Sequence, residues 1–211
     1  MDKRPAPNQI LKILKKTYPQ AHCALNFSNP LQLLVATILS AQCTDKRVNE
    51  ITKTLFQKYR SAKDFAQANL GDLEKVIHSA GFFRQKAKSI KGSCLMIQEK
   101  HNGQVPKTME ELTHLSGVGR KTANVVLGTA YKISSGIVVD THVKRLSTRL
   151  RLTKNSDPVK IENDLIKLIP KNDWIYFSHA LIAHGRALCK AVSPLCPQCP
   201  LQDICPSAHG N

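Results

Sequence analysis

The sequence predicts an all-α protein, because its apolar residues recur at helical spacing along most of the chain. Alternation with a period of two, the pattern of a half-buried strand, nowhere extends beyond a few residues. Gly and Pro separate the apolar segments, so we expect short helices, roughly ten of them. With 211 residues, the chain can bury one sizeable core and has room for only a small second domain.

The predicted helices follow one another from the amino terminus to the last cysteines. The first begins after Asn8, and the second has Asn29 as its N-cap and Pro30 at its first position. Thr108 and Glu111 have the spacing of a capping box before a further helix. Periodic apolar positions mark the others, at Val48/Ile51/Leu55, Leu73/Val76/Ile77, Ile90/Leu95/Ile97, Val125/Val126, Val143/Leu146, Ile161/Leu165/Leu168 and from Ile175 to Leu188.

The charge of the chain points to a polyanionic partner. Lys and Arg number 31 against 15 Asp and Glu, which gives a formal net charge of +16. Because 42% of the residues are hydrophobic and only 22% are charged, this positive charge lies on a foldable chain. A disordered basic arm is therefore excluded.

Nothing in the sequence predicts a membrane segment or a targeting signal. The longest apolar stretch, residues 31–41, is interrupted by Gln32, Thr37 and Ser40 and is too short to cross a bilayer. Residues 1–5 lack the apolar region of an export signal, and we find no organelle signal. We therefore expect a cytoplasmic protein without a membrane partner.

Four of the seven cysteines crowd into the last part of the chain. Cys189, Cys196, Cys199 and Cys205 have the spacing C-x6-C-x2-C-x5-C, and the periodicity stops where they begin. An odd cysteine count with such a cluster favours a metal site in a reducing compartment over a disulfide framework. Structural zinc usually has two C-x2-C pairs and only one is present, so zinc and an iron-sulfur cluster both remain open.

A glycine turn lies between two predicted helices, at Gly117, Val118 and Gly119. Such a turn exposes backbone N–H groups, and the next helix directs the positive end of its dipole to the same place. The turn alone is equally typical of an ordinary helix corner. Arg120 and Lys121 beside it, in so basic a chain, favour binding of a nucleic-acid backbone.

Lys121 is also a candidate nucleophile, since a neutral lysine amine attacks carbon. A nearby carboxylate or burial must then remove its proton. The candidate carboxylate is Asp140, which follows an apolar run and precedes a predicted helix. Its local pattern by itself favours a simple N-cap.

A third segment, residues 39–45, is a polar break that closes the apolar helix that begins at Pro30. It contains Ser40, Gln42 and Asp45. By itself it predicts only a helix end and a new N-cap at Thr44 or Asp45.

Together, in this order and at these separations, the three segments resemble the endonuclease III family of DNA glycosylases, within the helix-hairpin-helix superfamily. The resemblance covers residues 31–205 and includes Gly185 and Arg186 before the first clustered cysteine. It implies two helical lobes with a DNA-binding cleft between them. One would be a six-helix barrel domain, residues 23–133, with the helix-hairpin-helix at about 108–130. The other would combine residues 1–22 and 134–211 and hold a 4Fe-4S cluster in the loop 189–205.

The resemblance assigns the chemistry to Lys121 and Asp140, which reverses the local preference for Asp140. An oxidised pyrimidine of the thymine glycol type would be flipped out of the duplex, because its C1′ is inaccessible inside the stack. Lys121 would attack C1′, and the resulting Schiff base would allow β-elimination 3′ to the lesion. Asp140 would help to deprotonate Lys121 and stabilise positive charge on the sugar.

The resemblance also implies DNA contacts. Gln42 would fill the hole left by the extruded base, Phe82 would intercalate as a wedge, and Ser40 and Asp45 would lie near the base pocket. Further DNA contacts fall to the hairpin, Gly117, Val118, Gly119 and Arg120, and to Lys190 in the cluster loop. This chain departs from the family in three places: an aromatic Phe82, Ser116 in place of the usual Pro, and a cluster loop with Lys190 as its one basic residue.

The expected partner is double-stranded DNA that contains damaged bases or abasic sites, bound by a monomer associated with the nucleoid. Adenine-mismatch glycosylases of the superfamily lack the hairpin lysine, so Lys121 argues against that activity. Thymine-mismatch relatives commonly lack it too, but their activity stays open as a side activity. Two alternatives come from other classes. The chain could be a non-catalytic helix-hairpin-helix DNA-binding protein with a structural four-cysteine metal site, or a small electron carrier. The first leaves the pairing of Lys121 with Asp140 unexplained, and the second explains neither the hairpin nor the charge.

Overall fold

The computed structural model describes residues 4–208 of the chain. Over that range the protein is helical and contains no β-strand, which confirms the all-α prediction. The α-helices of this range are α1 (Pro7–Thr17), α2 (Pro30–Leu39), α3 (Asp45–Lys58), α4 (Ala62–Gln67), α5 (Leu70–Ile77), α6 (Phe83–Lys100), α7 (Met109–His114), α8 (Arg120–Tyr131), α9 (Thr141–Arg149), α10 (Pro158–Ile166) and α11 (Trp174–Ala187). Short 3₁₀ turns follow at Lys171–Asp173, Cys196–Gln198 and Gln202–Ile204.

The helices group into two compact units. The hairpin unit is Ala24–Ser135 and contains α2 to α8. The cluster unit combines the chain up to Cys23 with the chain from Gly136 onward, and contains α1 and α9 to α11. The expected lobe edges, 22/23 and 133/134, differ from these unit edges by one and two residues and stay an interpretation.

Helix α2 forms the centre of the hairpin unit, because its residues are apolar on every side. Every residue from Leu33 to Leu39 is buried, and α2 packs against α3, α6 and α8. Its start is as predicted: the Asn29 side chain accepts a hydrogen bond from the Gln32 N–H at 2.9 Å, and Pro30 is the first helical residue. The segment after α2 is thereby held at the edge of a rigid core.

Helix α4 is missing from the sequence prediction. It has six residues, too few for an apolar period; it packs against α6, and its Phe65 is buried. A signal was present in the sequence: Ser61 and Asp64 form a capping box, with Asp64 N donating to Ser61 Oγ at 3.2 Å.

Helix α1 completes the core of the cluster unit, although the rest of that unit comes from the far end of the chain. Its Ile10 and Leu14 are fully buried in one cluster with Phe177 and Leu181 of α11. A Lys15 to Asp173 ion pair of 2.6 Å lies beside them. The helix begins at Pro7, with Ala6 as N-cap, and not after Asn8 as predicted, because proline suits the first helical position.

None of the described helices is both long enough and apolar enough to span a bilayer.

Candidate active site and metal centre

The glycine turn of the hairpin is fixed by α6. Gly117 has φ +72, and a Cβ there would lie 2.6 Å from both Cβ and Oγ of Ser89. Ser93 Oγ, also on α6, donates to the carbonyl of Ser116, the residue before Gly117, at 2.6 Å. The turn therefore requires glycine both for its left-handed backbone and for its contact with α6.

Helix α8 begins directly after this turn without a side-chain cap. Its N-cap is Gly119, and the position of a Cβ there has no other heavy atom within 4 Å. Arg120 and Lys121 occupy the first turn of α8 and are exposed. Open N–H groups at the positive end of a helix, with two cations beside them, form an anion-binding site.

Val118 differs from its neighbours in the turn. Its side chain is buried and its N–H donates to the Leu115 carbonyl at 3.1 Å. The residue anchors the hairpin, and its expected contact with DNA stays a prediction.

Asp140 is the N-cap of α9, as its local pattern predicts. Its Oδ1 accepts from the N–H groups of His142 and Val143, both at 2.8 Å, and its Oδ2 lies 3.0 Å from His142 Nδ1. The side chain is 15% exposed. These contacts hold the carboxylate in one orientation, while the buried Ile137 and Val139 anchor the segment before it. Asp140 belongs to the cluster unit and Lys121 to the hairpin unit.

The structure brings the two predicted wedge residues together at one edge of the hairpin unit. Gln42 and Phe82 are exposed, Phe82 by 68%, and both have left-handed backbone, with φ 51 and φ 57. A Cβ on Gly81 would lie 3.8 Å from the Gln42 carbonyl oxygen, so the backbones of the two loops come close to each other.

Ser40 and Asp45 flank Gln42 on the same segment. Ser40 is the C-cap of α2, and its Oγ donates to the Thr37 carbonyl at 2.8 Å. Asp45 is the first residue of α3 and is half-buried. Thr44 provides the predicted cap, accepting from Arg47 N at 3.3 Å.

The four clustered cysteines line one cavity of about 160 Å³ in the cluster unit. All four are half-buried free thiols. Among the described residues, no three or more Cys, His, Asp or Glu lie close enough together to hold a single metal ion. Four cysteine thiols around one cavity form a ligand set of the type that holds an iron-sulfur cluster.

Two side chains that the sequence prediction missed contact the ligand sulfurs. Arg149 Nη1 donates to Cys189 Sγ at 3.2 Å and to the carbonyl of the exposed Lys190 at 2.7 Å. His184 Nε2 lies 3.4 Å from Cys199 Sγ, and the Tyr18 hydroxyl lies 3.0 Å from His184 Nδ1. No local motif marks Arg149 or His184, because each lies on a helix, many positions away in the sequence from the cysteine that it contacts.

Burial shapes the protonation of this centre. It lowers the pKa of His184 to about 4, so the ring is neutral at pH 7. Burial also raises the pKa of Cys199, with a smaller contribution from the other three thiols. A bound iron-sulfur cluster would supply the positive charge that stabilises these groups as thiolates.

Comparison with known proteins decides the family. Residues 35–171 match the HhH-GPD superfamily of base excision DNA repair proteins, and residues 189–205 match the iron-sulfur binding domain of endonuclease III. The chain is 56% identical to endonuclease III of Synechocystis sp. over 209 residues, which cover 99% of this chain and 95% of that protein. The chain belongs to the endonuclease III family.

Solved structures of the family agree. A non-covalent endonuclease III–DNA complex matches with a TM-score of 0.91 and 46% identity, covering 96% of both chains. A trapped covalent endonuclease III–DNA intermediate matches with a TM-score of 0.90 and 45% identity, covering 96% of this chain and 97% of that chain. The protein is a DNA glycosylase with AP lyase activity in base excision repair, and it carries a 4Fe-4S cluster. The non-catalytic and electron-carrier alternatives are thereby set aside.

Proposed function

We propose that Lys121 is the nucleophile and Asp140 the assisting carboxylate of this glycosylase. The observation that carries the proposal is the position of Lys121, exposed in the first turn of an uncapped helix, directly after a turn that α6 fixes. A phosphate held by the N–H groups of that turn brings the sugar of the DNA backbone within reach of the amine.

In the proposed reaction, Lys121 Nζ forms a bond to C1′ while the bond from C1′ to the base breaks and the base leaves with its electron pair. Opening of the sugar ring produces a Schiff base between Nζ and C1′. Loss of a proton from C2′ then expels the 3′ phosphate, and water releases the enzyme. Asp140 accepts the proton that Lys121 must lose and opposes the positive charge that develops on the sugar.

The remaining predicted residues bind the DNA or support the residues that bind it. Gly117, Gly119 and Arg120 bind a backbone phosphate, Val118 anchors their turn, and Lys190 adds a phosphate contact from the cluster loop. Gln42 fills the gap in the stack and Phe82 intercalates, while Ser40 and Asp45 line the entrance of the base pocket. The exposure and left-handed backbone of Gln42 and Phe82 support the wedge roles.

The substrate we propose is duplex DNA with an oxidised pyrimidine, such as thymine glycol, or an abasic site. A monomer associated with the nucleoid would perform this reaction. The net charge of +16 supports such an association with chromosomal DNA.

Borohydride trapping on a duplex with an abasic site tests the assignment of the nucleophile. We expect Lys121→Ala to lose the covalent band and to lower strand cleavage by about 10³-fold or more, with duplex binding retained. Lys53→Ala, which removes an exposed lysine of α3 in the same unit, is the control and should trap normally. Undiminished trapping by Lys121→Ala would show that another amine reacts.

A further inference from the structure

Lys86, on the first turn of α6, links the end of α2, three residues before Gln42, to the start of α6, whose N-cap is Phe82. Its side chain is buried, with 5% of the residue exposed, and Nζ donates to the Leu39 carbonyl at 2.8 Å. Its backbone N–H donates to the Phe82 carbonyl at 3.1 Å. Leu39 ends α2 just before the Gln42 segment, so one residue joins the bases of the two loops.

Burial of a lysine in this place costs free energy. Lysine is almost never fully buried unless a partner compensates its charge, and burial lowers the pKa of Lys86. The compensation is the carboxyl end of α2, where carbonyls lack helical partners and carry the negative end of the dipole. A methionine would fill the same space without this cost, so the particular contribution of lysine is its bond to one carbonyl.

The two loops need such a restraint. Left-handed backbone is unfavourable for residues with a side chain, and Gln42 and Phe82 both adopt it. Between the loops themselves, the backbone of Gly81 comes close to the Gln42 carbonyl oxygen. A hydrogen bond from α6 to the end of α2 sets their spacing.

We propose that Lys86 is a positioning residue that sets the distance between Gln42 and Phe82, so that both enter the DNA stack together. It does not touch the DNA or the reacting sugar. The inference rests on the wedge roles proposed above for these two residues.

The chain contains a matched control. Lys91 is on the same helix, and its Nζ donates to the carbonyl of Ala68, the C-cap of α4, at 2.7 Å. The two lysines thus make the same type of bond to the carboxyl end of a helix. Only the bond of Lys86 leads to the Gln42 segment.

The test compares Lys86→Met and Lys91→Met in two reactions. One is single-turnover release of thymine glycol from a duplex with 2-aminopurine next to the lesion, whose fluorescence rises as the stack opens. The other is strand cleavage at an abasic site in single-stranded DNA, which presents no stack to enter. We expect Lys86→Met to slow the duplex reaction and the rise in fluorescence by about 10- to 100-fold. Single-strand cleavage should stay within about twofold, and Lys91→Met should leave both reactions within about twofold.

A third comparison separates positioning from general support of the fold. In a Gln42→Ala/Phe82→Ala background, Lys86→Met should have little further effect, because the residues through which it acts are gone. A full additional loss there would overturn the proposal, as would equal losses in both reactions or an equal effect of Lys91→Met. If Lys86→Met does not fold, as judged by circular dichroism, Lys86→Gln takes its place; failure of both to fold would also overturn it.

Failure of the wedge roles would be visible separately. If Gln42→Ala and Phe82→Ala by themselves keep the full duplex rate and fluorescence change, the roles proposed for these residues are wrong, whatever Lys86→Met does.

Discussion

The two helices that carry the proposed catalytic groups begin in opposite ways. Helix α8 has Gly119 as its N-cap, and no side chain caps its first N–H groups. Helix α9 has Asp140 as its N-cap, and the carboxylate of Asp140 accepts from two N–H groups of the first turn at 2.8 Å. Each start has the same positive dipole and the same surplus of donors.

The contrast shows how one structural element serves two purposes. Where no side chain caps the helix, its N–H groups are available to bind a phosphate, and the lysine in the first turn lies next to that phosphate. Where the cap is present, the donors orient the protein's own carboxylate instead. The hypothesis of an N-cap and that of a catalytic carboxylate for Asp140 are therefore compatible, since the cap supplies the orientation that the chemistry needs.

The largest expected effect separates the two uses of Asp140. Asn also caps helices, so Asp140→Asn should change the free energy of unfolding by less than about 0.5 kcal/mol, whereas Asp140→Ala should lose about 1 kcal/mol. Both should slow base release by about 10²- to 10⁴-fold, because neither has a carboxylate. Denaturant unfolding and single-turnover glycosylase assays measure the two quantities. Full activity in Asp140→Asn would show that Asp140 only caps α9 and has no role in the reaction.

A second pair of variants compares the two glycines of the hairpin. Gly117→Ala should lower the free energy of unfolding by about 2–4 kcal/mol, through its φ of +72 and the overlap with Ser89. Gly119 has φ −92 and open space around its Cβ position, so Gly119→Ala should lose only about 0.5–1 kcal/mol, because alanine is a poorer N-cap than glycine. Urea denaturation provides both values. Equal losses would mean that α6 does not determine the turn.

The smallest expected effect comes from giving α8 a side-chain N-cap, as α9 has. In Gly119→Asn the new side chain occupies the N–H groups, which should add a few tenths of a kcal/mol to stability. It should also weaken binding to a duplex with a non-cleavable abasic-site analogue by about tenfold, the loss of roughly one charge-assisted hydrogen bond.

Fluorescence anisotropy over a range of salt concentrations measures that affinity, and Lys53→Ala again serves as the control. An unchanged dissociation constant and salt slope in Gly119→Asn would show that the open helix start does not bind phosphate.

Local patterns were sufficient for the features that a few neighbouring residues decide. The Asn29 and Asp140 caps, the glycine turn and the cysteine spacing all act over short separations, and the structure contains each of them. The miss at α4 has the same origin, since a helix of six residues is too short to show a period and only its capping box marks it. The roles of Gln42 and Phe82 came from the family resemblance, because their local pattern indicates only loop ends.

The sequence by itself determined the helical class, the charge that selects a polyanion, the order of the chemistry-bearing segments and the type of residue at each helix start. Only the tertiary structure decided which distant groups meet: Ser89 beside Gly117, the Lys86 amine on the Leu39 carbonyl, and His184 against Cys199. The physical reason is the separation of the residues along the sequence. Caps and turns form between residues a few positions apart. The contacts of Ser89, Lys86 and His184 form only after separate segments of the chain have packed, so no local pattern shows which residue each one will contact.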